Sequence, residues 1–185
     1  MRRNQISNFA RPRLSEPVSG RDHKQGSDRA SLTLLEYGDY ECPYCGSAHP
    51  MVQRLQQAFG SDLRFVFRNF PLTDIHPNAM MAAEAVEAAS LQGKFWQMHD
   101  LMFANQGALD RGALDKYAKD VGLNVATFKK ALDGKQYVAA VDADVKLGGD
   151  AAVNGTPSLF LNGARVENPS SFEAVSALIE AALKK

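Results

Sequence analysis

Tyr37-Gly38-Asp39-Tyr40-Glu41-Cys42-Pro43-Tyr44-Cys45-Gly46-Ser47-Ala48-His49-Pro50 holds both cysteines of a 185-residue chain. Two sulfurs spaced by two residues at the start of a helix can close a small disulfide ring or stand as a reactive dithiol. Pro43 suits a first helical turn, because its φ is preset and the N–H it lacks would have had no partner there. The helix predicted from this start runs to about Phe59, with Met51, Val52, Leu55 and Phe59 at helical spacing, a bend at Pro50 and a stop at Gly60.

Working outward, residues 31–37 (Ser-Leu-Thr-Leu-Leu-Glu-Tyr) form a short apolar run that reads as a buried strand delivering the chain to the cysteines. Residues 63–70 (Leu-Arg-Phe-Val-Phe-Arg-Asn-Phe) read as a second strand. Strand, helix and strand in that order imply a parallel crossover, with the cysteines at the carboxyl end of the first strand, where open α/β sheets place their active sites. Residues 77–153 turn Ala-rich and helical, and Gly93, Gly107, Gly122 and Gly134 divide them into an expected four helices. Phe95 to Phe103 is apolar around most of a helix circumference and should be the buried centre of that block. After Gly155, Asn162-Gly163 between two short apolar runs signals a hairpin, since a type I′ turn needs φ > 0 at both central residues. Ser170 or Ser171 then caps a last amphipathic helix through Phe172, Val175, Leu178, Ile179 and Leu183.

An apolar content of 45%, a charged content of 23% and a net charge of zero describe a globular chain with no electrostatic reason to bind nucleic acid. No apolar run reaches membrane-spanning length, so no integral membrane segment is expected. Two cysteines are too few for the disulfide framework of a small secreted protein. Residues 1–30 are rich in Arg, Ser, Asn, Gln and Gly and show no periodicity, so they read as a flexible arm. Seven of the 21 Lys and Arg and three of the 21 Asp and Glu lie there, leaving fourteen against eighteen and hence a basic arm on a mildly acidic body. Arg2 and Arg3 begin the chain as an export signal would, but no apolar h-region follows, which favours the cytoplasm over the periplasm unless the true N-terminus differs.

A thiol reacts as its thiolate, so a redox cysteine needs its anion stabilised, and a helix N-terminus does this with unpaired N–H groups and the positive dipole end. Cys42 at the N-cap is the expected nucleophile and Cys45, nearly a turn in, the resolving thiol. Pro43 and Tyr44 between them tune the potential. Tyr44 lacks the positive charge a His would bring, so an oxidant weaker than a Cys-Pro-His-Cys site is expected, and the negative charge of Asp39 and Glu41 should raise the thiol pKa somewhat in the same direction. A zinc site built from Cys42, Cys45 and His49 with His76 or His99 is the competing reading. A pair that follows a strand and opens a Pro-started helix favours redox chemistry, with no metal and no cofactor. His49 and His99 then read as packing or hydrogen-bonding residues and His76 as a turn or capping residue.

Residues 36–45 together with Gly155-Thr156-Pro157-Ser158-Leu159-Phe160-Leu161-Asn162-Gly163 resemble the DsbA-like branch of the thioredoxin superfamily over roughly residues 31–183. Phe70-Pro71-Leu72, His76-Pro77 and Phe95-Trp96 to His99-Asp100 are similar to stretches of bacterial DsbA-like proteins and of thioredoxin-like domains fused to sodium/proton antiporters. The resemblance implies an α/β thioredoxin-like fold, βαβ and ββα halves in residues 31–76 and 154–185, with an all-helical insertion at 77–153. It implies a cis Thr156-Pro157 bond against the sulfurs, with the backbone before it pairing with substrate polypeptide. Glu36 matches the buried acid that moves protons to the resolving cysteine. The function implied is thiol:disulfide exchange with protein substrates by a monomer served by a redox-recycling partner or glutathione. A thioredoxin-fold module that docks a partner or senses redox state is the alternative. A glutathione-dependent transferase or isomerase stands further off, because such sites pair with a lone Ser or Cys.

Overall fold

The computed structural model describes residues 12–167, 169 and 171–184. Alternation along two strands sets its layers. In β2 (Leu32–Gly38) and β3 (Leu63–Asn69), Leu34, Phe65 and Phe67 join the core on one face of the sheet, and Leu35, Tyr37 and Val66 join the core on the other. The two strands run parallel in register from Leu32↔Leu63 to Gly38↔Asn69, with α1 (Pro43–Phe59) as the crossover between them. Burial on both faces explains why each reads as a nearly continuous apolar run.

β4 (Ser158–Leu161) pairs antiparallel with β2, and β5 (Ala164–Arg165) folds back on β4. Asn162 and Gly163 between them take φ of 47° and 80°, the left-handed pair that a type I′ turn requires. α7 (Phe172–Leu183) is capped by Ser171, whose Oγ accepts from the Ala174 N–H at 3.1 Å, while Ser170, the other candidate cap, lies outside the described residues. α1 and α7 cover one face with Val52, Leu55, Val175 and Ile179. Each such side chain, fully buried, contributes about 1.5–3 kcal/mol.

Between β3 and β4 lie α2 (Ala79–Ser90), α3 (Phe95–Ala104), α4 (Arg111–Asp120), α5 (Val125–Asp133) and α6 (Val138–Asp150). The glycine count implies four helices and the structure has five, because each of the four glycines falls in a break and four breaks separate five segments. Met98, His99 and Met102 of α3 are buried, as its apolar circumference requires. α6 comes down on the opposite face, where Leu147, with Ala151 and Val153 just beyond the helix, packs on Leu35, Tyr37 and Phe160. Gly148 permits that approach, since a Cβ there would meet the Phe70 ring at 2.6 Å.

The flexible arm expected to reach residue 30 does not extend over the described part of that segment. β1 (His23–Gln25) pairs antiparallel with β3 at the sheet edge, giving the order β1-β3-β2-β4-β5, and Arg13 bridges to Ala164. Asp22 buries its carboxylate against Arg68, accepting from Nε at 2.6 Å and Nη2 at 3.2 Å. His23 pairs with Glu87 at 3.0 Å, and Trp96 donates to the Lys24 carbonyl at 3.1 Å. A three-residue polar strand has no periodicity to read. Partners 46 to 72 positions away hold the segment, not its own composition. Residues 1–11, with Arg2 and Arg3, lie outside the described residues.

Candidate functional site

The carboxyl end of β2 reaches the sulfurs through a turn with little free space. Gly38 lies against the Phe67 ring and the Glu36 carboxylate, where a Cβ would collide. The Asp39 carbonyl accepts from the Cys42 N–H at 3.2 Å, and the Asp39 N–H points to Cys45 Sγ at 3.5 Å. Cys42 is the N-cap of α1, with extended φ of −74° and ψ of 120°, and Pro43 occupies the first helical position. Gln106, in the loop after α3, donates from Nε2 to the carbonyls of both Tyr40 and Cys42 at 2.8 Å. Gly46 makes room for that amide. Nothing in the sequence marks Gln106, because its work is done across 64 residues.

Both cysteines are buried free thiols, and they are not equivalent. Cys42 is held down from 9.0 to about 5, first by the hydrogen bond from the Cys45 thiol, then by the Thr156 side chain and the backbone N–H groups of Cys45 and Tyr44, against the cost of burial. The Thr156 hydroxyl is buried and makes no hydrogen bond, so its influence on Cys42 is that of a nearby dipole. When Cys42 carries its proton it donates to the Thr156 carbonyl at 3.4 Å. Cys45 is pushed far up by burial, by serving as the donor to Cys42 and by the negative charge of Glu36. The surroundings thus favour the anion at Cys42 and the protonated thiol at Cys45.

Glu36 is 3% exposed with Oε1 unpartnered, and burial followed by the Cys42 charge pushes its carboxyl up to about 8. Thr156-Pro157 is a cis peptide, and the carbonyl oxygen of that peptide group faces Cys42. Tyr44 is 75% exposed and lines a groove of about 510 Å³ together with Met51, Arg54, Pro157 and Phe172.

Asp39 and Glu41, expected to raise the thiol, stand beside a Cys42 that is nonetheless held low. The Asp39 carboxylate is spent on the Leu72 N–H at 2.9 Å, His76 Nδ1 at 2.7 Å and the Glu41 N–H at 2.8 Å. Glu41 accepts from the backbone and side chain of Asn78 at 2.7 Å and 2.9 Å. Both acids therefore hold the 72–78 loop, and the groups that set Cys42 come from Cys45, Thr156 and the helix start, so the lack of positive charge on Tyr44 does not leave the thiol weakly acidic. His76 gains more than a turn role. Against the opposing cost of burial, the Asp39 carboxylate raises it, as do the charges of Cys42 and Glu41. The zinc set of cysteines with histidines is not assembled. Among the described residues, the metal-ligating atoms that converge are those of His49, His99 and Asp100.

A family model described as "Thioredoxin" matches residues 18–181. The chain belongs to the thioredoxin superfamily, in its DsbA-like branch. Its α/β architecture is the thioredoxin-like fold, which supports thiol–disulfide exchange in general. Oxidised BdbD from Bacillus subtilis superposes with a TM-score of 0.84 at 25% identity, covering 95% of this chain and 100% of that one. A thioredoxin-like oxidoreductase from Silicibacter pomeroyi gives 0.80 at 26% identity, over 90% and 95% of the two chains. Among curated proteins, Na(+)/H(+) antiporter NhaA 3 of Salinispora tropica is 44% identical over 170 residues, 91% of this chain and 26% of that protein. NhaA 1 of Mycolicibacterium gilvum is 37% identical over 172 residues, 91% of this chain and 28% of that protein. The chain thus spans about a quarter of the curated relatives it matches. No helix among the described residues is long and apolar enough to cross a membrane.

Proposed function

We propose that this chain is a protein thiol:disulfide oxidoreductase in which Cys42 and Cys45 are the exchanging pair. The observation that carries the reading is the asymmetry of the two sulfurs, one held near a pKa of about 5 at a helix N-cap and the other buried behind it as a thiol. In the reducing direction the Cys42 thiolate attacks a substrate disulfide, forms a mixed disulfide and expels one substrate thiolate. Cys45 then gives up its proton and attacks Cys42 Sγ, closing the Cys42–Cys45 disulfide and expelling the second thiolate. In the oxidising direction the steps reverse, and Glu36, protonated at neutral pH, supplies a proton to Cys45 as it leaves. Pro157 and the apolar groove beside it, with Tyr44, Met51 and Phe172, receive the substrate polypeptide next to the reacting sulfur.

The compartment and the recycling partner set the direction of exchange, since the same pair is kept reduced by glutathione or thioredoxin and oxidised in their absence. The test is insulin reduction and dithiol oxidation by Cys42→Ser and Cys45→Ser. Cys42→Ser should be inactive in both assays, and Cys45→Ser should accumulate a mixed disulfide with substrate. Activity retained in Cys42→Ser sinks the assignment.

A further inference from the structure

On the side of α1 away from Pro157, α1 and α3 face each other across a cavity of about 420 Å³ lined by His49, Gln53, Gln56, His99 and Asp100. One donor atom from each of His49, His99 and Asp100 lies within 4.8 Å of the other two. His49 Nε2 stands 3.3 Å from Asp100 Oδ1. That is the ligand-to-ligand edge of a tetrahedral ion, about 3.3 Å for bonds of about 2.0–2.1 Å.

His99 supplies an independent observation. It is 2% exposed, its Nδ1 lies 2.9 Å from the Tyr40 hydroxyl, and its Nε2 makes no hydrogen bond among the described residues. With Nδ1–H given to the Tyr40 oxygen, the lone pair of Nε2 is left for a ligand, the outer-sphere arrangement that orients metal-binding imidazoles. The rings of Phe67, Trp96 and Phe103 around His99 account for its packing. They do not account for a second imidazole and a carboxylate converging on the same cavity wall. Gln53, whose Nε2 lies 3.1 Å from His49 Nε2 one turn on along α1, can bring its amide oxygen to the same place by a half-turn of the amide, as a fourth ligand in place of water.

We propose that His49, His99 and Asp100 bind one divalent transition metal ion of the zinc class, pinning α1 to α3 separately from the dithiol. Two imidazoles and a carboxylate suit such an ion better than calcium or magnesium, which take oxygen ligands. Tyr40 connects the site to the redox turn, since its hydroxyl holds His99 while its carbonyl is held, with that of Cys42, by Gln106.

The experiment uses the full chain with Cys42→Ser and Cys45→Ser, so that thiolates cannot capture the ion. Zinc chloride is titrated calorimetrically and followed by thermal denaturation, with calcium chloride as the control. One zinc per chain, a raised melting temperature and no calcium response are expected. His49→Ala and Asp100→Asn, both at solvent-accessible positions, should each weaken zinc binding while leaving the far-ultraviolet dichroism unchanged. Tyr40→Phe should weaken it by about 10–100-fold, the range for loss of an outer-sphere partner. Absence of saturable zinc binding, or binding undiminished in the His49→Ala, Asp100→Asn double variant, overturns the proposal.

Discussion

Tyr37 and Glu36 are neighbours on β2 and bury polar groups on opposite faces of one sheet, with opposite outcomes. On the Tyr37 face Arg68 is 1% exposed, yet it donates to both Asp22 oxygens, to the Tyr37 hydroxyl at 2.9 Å and to the Pro17 carbonyl at 3.4 Å. On the Glu36 face the carboxylate has an oxygen with no partner, and so does the Thr156 side chain. A buried charge with all its partners fixes the fold. A buried acid without them is held in its neutral form and stands ready to exchange a proton. Structural burial and chemical burial differ here in the number of partners, since Arg68 and Glu36 are both almost without exposed surface.

The largest effect expected from breaking this contrast is on the satisfied side. Asp22→Ala leaves Arg68 charged and unpaired, and should cost about 3–5 kcal/mol in chemical denaturation. The thiolate titration of Cys42, read by absorbance at 240 nm, should stay where it is. A loss below about 1 kcal/mol would mean that water reaches Arg68 and that the segment from residue 12 is held elsewhere.

On the other face Glu36→Gln should act with the opposite sign. A carboxyl raised from 4.5 to about 8 costs nothing below pH 4.5, and its penalty grows as pH rises to 8 because the unfolded chain ionises first. The variant should match the parent near pH 4 and exceed it by on the order of 2–4 kcal/mol at pH 8. Equal pH slopes for the two proteins would show that Glu36 is not held neutral.

Cys42 carries the compensating slope in the reduced protein. Its thiol falls from 9.0 to about 5, so its contribution is fully present above pH 9 and is lost as pH falls through 5. Between pH 5 and 8 the slopes of Cys42 and Glu36 oppose each other at roughly 1.4 kcal/mol per pH unit each, and reduced parent protein should be nearly flat there. Reduced Cys42→Ser should lose stability across that window. Stability that stays flat in the variant would remove one of the two shifts.

The smallest effects belong to the scaffold of the turn. Gly46→Ala pushes the Gln106 amide off the Tyr40 and Cys42 carbonyls, and should cost about 1 kcal/mol per hydrogen bond lost without abolishing exchange. His76→Gln removes a cation that Asp39 and the Cys42 charge favour, so Cys42 should titrate slightly higher. An unmoved titration curve would leave His76 as a brace for the loop alone.

What could be read from the sequence is what local chemistry specifies. Pro43 after Cys42, the apolar runs that became β2 and β3, the Asn162-Gly163 turn and the apolar girth of α3 each announce a conformation within a few residues. The family motif located Glu36, Thr156 and Pro157, and the structure puts Thr156 against Cys42 and charges on Glu36 and Cys42 in each other's reach. Asp22, Gln106 and the true use of Asp39 and Glu41 were invisible. Each is defined by a partner 33 to 66 residues away, and an acidic or amide side chain looks the same in sequence whether it faces water or caps a distant loop.

The sequence by itself determined that a dithiol opens a helix at the end of a buried strand, because spacing, proline and periodicity are local constraints on φ, ψ and burial. The tertiary structure added how far the two thiols are driven apart. That depends on which groups converge on Cys42 and how far Cys45 and Glu36 are removed from water, and both are set by packing among segments that never meet along the chain.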